Sequence, residues 1–355
     1  MGETEKRELI SISPEWSTPQ LQEKIADAIT GEGPALATGK TQIKFVAEDI
    51  ALVVETSGST GEPKSVAISN SALIASTNGA HKYLGATPGD TWSLLLPTSH
   101  IAGLNVLARA TALGTKVIDN RNVSSYIDAD FISIVPTQLH RALTGDEKLL
   151  EHLRAAETVL VGGGAISDAL RKNAADKDVK VVSTYGMTEM CGGCVYNQKP
   201  LDGVDVEIDP TGLVRLRGPM MATTYLNDPT NWNNLTMDGW FQTSDLGEFV
   251  DGKLKIFGRA DDVIKSGGEK ISLVDIEERF HKFFPGVEVV AFGKPDAEWG
   301  EKLCIAVTSN LSLSDVQGKL TGVNSPKEIF VLQQIPRTSL GKVDRKAVAK
   351  LAIGI

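Results

Sequence analysis

Thr56-Ser57-Gly58-Ser59-Thr60-Gly61-Glu62-Pro63-Lys64 is the stretch from which the rest of the chain can be read. It follows an apolar run, Ile50 to Val54, with the pattern of a buried strand. It precedes Ser69-Asn70-Ser71-Ala72-Leu73-Ile74, the pattern of a capped helix start. The stretch itself carries two glycines, four hydroxyl side chains and one lysine. Glycine lets the backbone turn its N–H groups inward, and such groups, together with hydroxyls, wrap an anionic phosphate chain. Lys64 adds a point charge, and Pro63 stiffens the exit. The spacing is not that of the common P-loop, where Gly, four residues and then Gly-Lys-Ser/Thr are required. Taken alone, the stretch reads equally well as a flexible surface turn.

Outward from this loop, short apolar runs alternate with helical patterns. Ala51–Val54, Trp92–Leu96, Lys116–Ile118, Phe131–Val135, Val159–Val161 and Val179–Val182 read as strands. Ser71–Leu84, Ile101–Leu113, Pro136–Leu143 and Asp168–Ala174 read as helices. That alternation predicts an α/β domain with mostly parallel sheets. Residues 1–48 are weakly patterned, with Leu21, Ile25 and Ile29 at helical spacing. From Gly203 the texture changes to short alternating segments separated by turn residues, the pattern of a small antiparallel β subdomain. After Gly258-Arg259-Ala260-Asp261 a third texture mixes helices and strands over the last ninety or so residues, enough for a separate α+β domain.

The bulk composition bounds the function. The chain has 355 residues, 41% of them hydrophobic, which supports more than one core. A net charge of −9 argues against nucleic acid as a partner. No apolar run approaches the length of a membrane span. The charged start, Met1 to Leu9, leads into no apolar segment of a signal peptide, and three cysteines are too few for a disulfide framework. A cytoplasmic location is expected, and a homo-oligomer is compatible with the sequence.

TSGSTGEPK resembles the phosphate loop of the acyl-adenylate-forming superfamily, the AMP-dependent synthetases and ligases. The resemblance recurs in the family's order at STYGMTE (183–189), GWFQTSDLG (239–247), GRADDVIKSGGEKIS (258–272) and PRTSLGKVDR (336–345). It implies a large N-terminal domain over 1–257 that binds ATP and the acyl group. It further implies a hinge over 258–261, placed at Asp261, and a mobile C-terminal domain over 262–355. Members commonly carry a longer portion ahead of the phosphate loop, on the order of a hundred residues more.

The implied chemistry joins an acid to a thiol. The carboxylate attacks the α-phosphorus of ATP, pyrophosphate leaves, and the CoA thiol displaces AMP. Charge gathers in both transition states, so positioned cations and donors are required. By resemblance, Thr56, Ser57, Gly58, Ser59, Thr60, Gly61 and Lys64 hold the phosphates. Tyr185 and Gly186 lie at the adenine and acyl group, with Gly163 and Gly164 on the adenine side. Thr188 meets the α-phosphate, and Glu189 is the carboxylate for Mg²⁺, which takes only one or two such ligands. The competing reading of Thr188 and Glu189 is a favourable helix N-terminus. Asp245 accepts from the ribose hydroxyls with Arg259 beside it; alternatively Asp245 is a turn residue.

Lys342 corresponds to the lysine that reaches the reacting carboxylate, and His100 to the histidine beside the acyl site; an ordinary helix-start histidine is the other reading of His100. Gly267 and Gly268 border the CoA channel. Cys191-Gly192-Gly193-Cys194 has the form of a redox or metal pair, but no second pair or nearby histidine completes it, so small pocket-wall residues are expected there.

Within the superfamily, the short length, the run 184–206 and Arg109 resemble the o-succinylbenzoate–CoA ligases of menaquinone biosynthesis, in their actinobacterial form. Other aryl- or acyl-CoA ligases, and adenylation domains that load a carrier protein, share the same motifs. The helix Ile101–Leu113 holds one charge, Arg109, on a face with Ala102 and Asn105. A second substrate carboxylate needs such a cation, while Ala102 and Gly103 are expected to leave room for an aromatic ring. The plain alternative is that Arg109 complements the helix dipole.

Overall fold

In the computed structural model, residues 6–57, 63–337 and 343–354 are described. Their contacts divide the chain into two units, Met1–Glu207 with Arg215–Gln242, and Ile208–Val214 with Thr243–Ile355.

Two sheets build the first unit. One has the strand order Thr224–Tyr225, Pro63–Ser69, Ile50–Ser57, Ala35–Ala37, Lys6–Ser11, Phe45–Ala47, parallel at its centre and antiparallel toward both edges. The other runs Lys199–Pro200, Gly192–Tyr196, Val181–Met187, Thr158–Val161, Phe131–Ile134, Trp92–Leu94, Ile118–Asp119, and is parallel from Val181–Met187 onward. Helices Thr18–Thr30, Asn70–Leu84 and Ile101–Ala112 pack on one another. The first two also meet the first sheet, and Ile101–Ala112 meets the second.

Strand alternation sorts the second sheet's side chains. Ile132, Ile134, Val159 and Val161 form a core with Leu139, Leu143, Leu149 and Leu153 of the helices Pro136–Thr144 and Glu147–Ala155. Phe131 and Ser133 therefore face the other way. The Trp92 ring packs tilted against Phe131 with centroids 5.1 Å apart, and the guanidinium of Arg109 lies 5.0 Å from the Trp92 ring centroid, so this is the face that Ile101–Ala112 covers.

In the second unit, the order Glu269–Ser272, Val263–Ser266, Gly300–Val307, Val289–Asp296 forms a sheet, with Glu328–Val331 also pairing Gly300–Val307. Its alternation feeds two cores. Ala291, Leu303 and Ile305 pack with Ile276 and Phe280 of the helix Leu273–Phe283. Val290, Phe292 and Cys304 pack with Val348 of the helix Arg345–Ile353.

Four elements depart from the sequence reading. The phosphate-loop stretch joins two antiparallel strands, with Thr56 opposite Lys64 and Ser57 opposite Pro63, before the helix begins at Asn70. The strand expected to stop at Val182 continues to Met187 and returns as Gly192–Tyr196. Lys6–Ser11 is a strand whose Arg7 is buried, donating to the carbonyls of Ala28, Ile50 and Asp27. Glu147–Ala155, not anticipated, is a helix capped by Asp146.

Candidate active site

A cavity of about 440 Å³ opens in the first unit, between the C-terminal ends of the second sheet's parallel strands and the helix Ile101–Ala112. That volume falls in the range of small-molecule sites, and the position is where ligands collect in α/β sheets. The helix supplies Ile101, Ala102, Asn105 and Arg109; the strand ends supply Ser133, Ile134, Leu160, Gly162 and Gly163. The hairpin formed by Val181–Met187 and Gly192–Tyr196 closes the side with Thr184, Gly186, Gly192, Gly193 and Tyr196.

Arg109 is only 4% exposed. Its Nη2 donates to the Tyr196 hydroxyl at 3.1 Å, its Nε has no hydrogen-bond partner, and no carboxylate pairs with it among the described residues. Isolated buried charge is costly, and this guanidinium has no carboxylate among the described residues to offset that cost. Its field reaches His81, whose pKa is pushed down to about 4 by burial first and by Arg109 second, against the pull of Asp90.

His100 is the N-cap residue of Ile101–Ala112, makes no side-chain cap bond, and lines the cavity. The helix-start reading of this histidine holds, and the residue also borders the cavity. Ala102 lines the cavity too, but Gly103 does not: a Cβ there would lie 2.2 Å from the Pro97 carbonyl oxygen. The small size of Gly103 lets the helix start pack on Pro97, which corrects the expectation that it makes room for a ring. Gly186 is required by a close approach as well, since its Cβ would lie 1.9 Å from the carbonyl oxygen of Gly192 on the returning strand.

Thr188 lines the cavity, whereas Tyr185 and Glu189 are outside its wall. Strand alternation puts Tyr185 on the face opposite Thr184 and Gly186. Glu189 sits in the 3₁₀ turn Thr188–Met190, where the Tyr225 hydroxyl donates to its Oε1 at 2.6 Å. Burial and the Glu189 charge raise the Tyr225 pKa, so the phenol stays protonated and remains a donor. Lys64 Nζ stands 4.7 Å from the centroid of the same ring. The three residues come from distant parts of the chain, and they place a hard carboxylate and a cation beside the strand that carries Thr56. One carboxylate fits Mg²⁺, which keeps waters and takes substrate phosphate oxygens for its remaining positions. No cluster of three or more metal-ligating side chains occurs among the described residues.

The Cys-x-x-Cys run lies on the returning strand. Gly192 and Gly193 are the wall residues; Cys191 and Cys194 are buried behind them, with burial pushing each thiol up to about 12. Burial disfavours the thiolate, the reactive form, so each behaves here as a small apolar side chain. Gly163 lines the cavity, and its neighbour Gly164 does not.

In the second unit, Asp245 and Arg259 are Cα partners on adjacent antiparallel strands, and the Asp245 N–H donates to Thr243 Oγ1. Asp261 lies in a 3₁₀ turn, Ala260–Asp262, immediately after the strand Lys253–Arg259. Gly267 and Gly268 form the two-residue turn of a hairpin with φ of 59° and 86°, which favours glycine at both positions. A Cβ on Gly267 would meet the Trp299 ring at 2.9 Å, while nothing lies within 4 Å of one on Gly268. Gly58, Ser59, Thr60, Gly61 and Lys342 lie outside the described residues, and of Ser57 only the backbone is described.

Sequence reasoning overlooked Ser133, Tyr196 and Tyr225. The first sits in an apolar run, and the other two act through partners 87 and 36 residues away.

The family model described as "AMP-binding enzyme" matches residues 3–226, a segment containing the cavity and the Glu189–Tyr225 pair. The chain belongs to the AMP-binding enzyme family. Among curated relatives, a probable 2-succinylbenzoate–CoA ligase of Mycobacterium tuberculosis is 33% identical over 95% of this chain and 96% of its own length. Among solved structures, the o-succinylbenzoate CoA synthetase of Bacillus subtilis in complex with its acyl-adenylate intermediate superposes with a TM-score of 0.73 at 25% identity. That alignment covers 96% of this chain and 78% of the other. The same Bacillus enzyme in complex with ATP and magnesium ion gives a TM-score of 0.71 at 22% identity, over 95% of this chain and 83% of the other, a likeness of fold. No described helix is long and apolar enough to cross a membrane.

Proposed function

We propose that the chain is an ATP-dependent o-succinylbenzoate–CoA ligase of menaquinone biosynthesis, working in the cytoplasm with ATP, CoA and Mg²⁺. It activates the succinyl carboxylate as the acyl-adenylate, releasing pyrophosphate, then passes the acyl group to the CoA thiol and releases AMP. The observation that carries the substrate is Arg109: a buried guanidinium with no carboxylate partner among the described residues, aimed into a cavity of ligand size. A substrate with two carboxylates answers it, one reacting and one held by the cation.

The residues divide the work. Arg109 fixes the ring carboxylate, and Ala102 leaves the ring its space against the backbone of Gly186. His100 stands at the mouth of the acyl site, and Thr188 donates to the α-phosphate. Glu189, oriented by Tyr225, holds Mg²⁺, which supplies charge neutralisation on the phosphates. Lys64 and the hydroxyls of Thr56, Ser57, Ser59 and Thr60, with Gly58 and Gly61, hold the leaving phosphates. Gly163 and Gly164 border adenine with Tyr185, and Asp245 with Arg259 takes the ribose. Lys342 brings a cation to the adenylation transition state. Asp261 is the hinge that exchanges Lys342 for the CoA channel at Gly267 and Gly268.

Pyrophosphate release in the presence of ATP and Mg²⁺, measured across a panel of acids, tests the assignment. o-Succinylbenzoate is expected to support turnover, and benzoate and plain fatty acids to fail. Equal turnover of a fatty acid refutes the substrate and leaves only a general acyl-CoA ligase.

A further inference from the structure

The short strand Thr224–Tyr225 borders Pro63–Ser69, with Thr224 opposite Ala67 and Tyr225 opposite Val66. The Thr223 N–H donates to the Ala67 carbonyl at 2.8 Å, and the Leu226 N–H to the Ser65 carbonyl at 2.9 Å. After Leu226 the chain turns away. Asp228 caps the helix Pro229–Leu235, whose first residue is a proline with no N–H to give. The backbone partners on this edge therefore end at Ser65, one residue after Lys64.

Asn227 continues the edge with its side chain. Its Oδ1 accepts from the Ser65 N–H at 2.8 Å, and its Nδ2 donates to the Pro63 carbonyl at 2.7 Å. A carboxamide offers an acceptor and a donor side by side, as a peptide group does, so it adds the rung that the departing backbone cannot supply. The two groups it holds flank Lys64. Toward the other neighbouring strand, Lys64 is itself the Cα partner of Thr56. The backbone at Lys64 is thus held from both edges. Strand alternation puts the Lys64 side chain on the face of Val66, which is also the face of Tyr225. There Nζ stands 4.7 Å from the Tyr225 ring centroid, and the Tyr225 hydroxyl donates to Glu189. Asn227 is exposed, so water can serve the Ser65 N–H and the Pro63 carbonyl in its place. Its two hydrogen bonds therefore add little to stability and much to the geometry of the lysine between them.

Resting on the reading above of Lys64 as a holder of the leaving phosphates, we infer that Asn227 is a positioning residue for adenylation: by pinning the backbone on either side of Lys64, its side-chain amide aims the ammonium at the phosphates. Asn227 touches no substrate and acts through the lysine. A displacement of about 1 Å in a group that stabilises transition-state charge costs as much as roughly 100-fold in rate. The second half-reaction, acyl transfer from AMP to the CoA thiol, involves no β- or γ-phosphate and does not need this contact.

The test measures the two half-reactions separately in the wild-type enzyme, Asn227→Ala, Lys64→Ala and the double variant. In Asn227→Ala, kcat/KM for ATP in pyrophosphate release is expected to fall by about tenfold, equivalent to about 1.4 kcal/mol. KM for the acid, and the rate at which supplied acyl-adenylate and CoA give thioester, should stay within about twofold of wild type. The thermal midpoint should move by no more than about 2 °C. In the Lys64→Ala background, Asn227→Ala should cost less than about threefold further, because residues that act through one another do not add. Unchanged adenylation in Asn227→Ala overturns the inference. Equal loss of both half-reactions does so too, by making Asn227 a residue of the fold, and a full tenfold loss in the Lys64→Ala background does so by placing its action elsewhere. Wild-type adenylation in Lys64→Ala refutes the phosphate role of Lys64 instead, so failure of the underlying reading is told apart from failure of the inference.

Discussion

Replacing Arg109 by methionine separates a binding role from a structural one. Methionine keeps most of the length and apolar stem and removes the charge. In the folded protein the guanidinium gains one hydrogen bond, to Tyr196, and a cation–π contact 5.0 Å from the Trp92 ring centroid. Against these stands the desolvation of a cation that no carboxylate pairs among the described residues. Replacing a poorly compensated buried charge by an apolar side chain of similar volume is commonly neutral or stabilising. The thermal midpoint is therefore expected to move by no more than about 1–2 °C, which for a protein of this size is roughly 1 kcal/mol. Binding behaves differently. A hydrogen bond to a charged group contributes about 1.5–3 kcal/mol, so KM for o-succinylbenzoate should rise by roughly 10- to 150-fold, with KM for ATP nearly unchanged.

A third readout comes from His81. Arg109 is the second cause of its depressed pKa, so in Arg109→Met the pKa should rise from about 4 part of the way toward 6.5, burial holding it below. Steady-state kinetics, thermal unfolding and a histidine-resolved NMR titration supply the three measurements. A large fall in the midpoint with KM for o-succinylbenzoate unchanged would refute the reasoning, since it would make Arg109 a structural residue.

Tyr225→Phe removes the donor that orients Glu189 and should raise the Mg²⁺ concentration needed for half-maximal rate by about tenfold, with Km for o-succinylbenzoate unaffected. His81 and His152 both have pKa values lowered by burial, so the unfolded chain takes up protons that the fold refuses. Their contribution to stability is complete above about pH 6.5 and is lost as pH falls, for His81 toward about 4, and His81→Leu should flatten the fall in denaturation midpoint between pH 7 and 4.5. Lys342→Ala should abolish acyl-adenylate formation yet still convert supplied acyl-adenylate and CoA to thioester; equal loss of both half-reactions, followed by rapid quench, removes Lys342 from its role.

Much of this was legible in the sequence because it is local. The capped helix Asn70–Leu84, the apolar runs of the second sheet and the lone charge on Ile101–Ala112 each declare themselves within a dozen residues. What stayed hidden depends on pairing across the chain. Pro63–Ser69 reads as loop because its first residues carry the composition of the turn before it; only pairing with Ile50–Ser57 makes it a strand. Gly186 looks like a flexible residue in a binding loop, and the reason for it, the carbonyl of Gly192, appears only when the strand returns. Arg7 reads as surface charge and is instead buried among carbonyls of three other segments. Ser133 is one hydroxyl in an apolar strand, and nothing local says which way it faces. Tyr225 meets Glu189 across 36 residues, beyond any periodicity.

The most direct test of the account is the product mixture. Enzyme supplied with ATP, Mg²⁺, o-succinylbenzoate and CoA, quenched and analysed by mass spectrometry, should yield o-succinylbenzoyl-CoA, AMP and pyrophosphate in equal amounts. Release of ADP and phosphate, or accumulation of the acyl-adenylate without thioester in the presence of CoA, would contradict it.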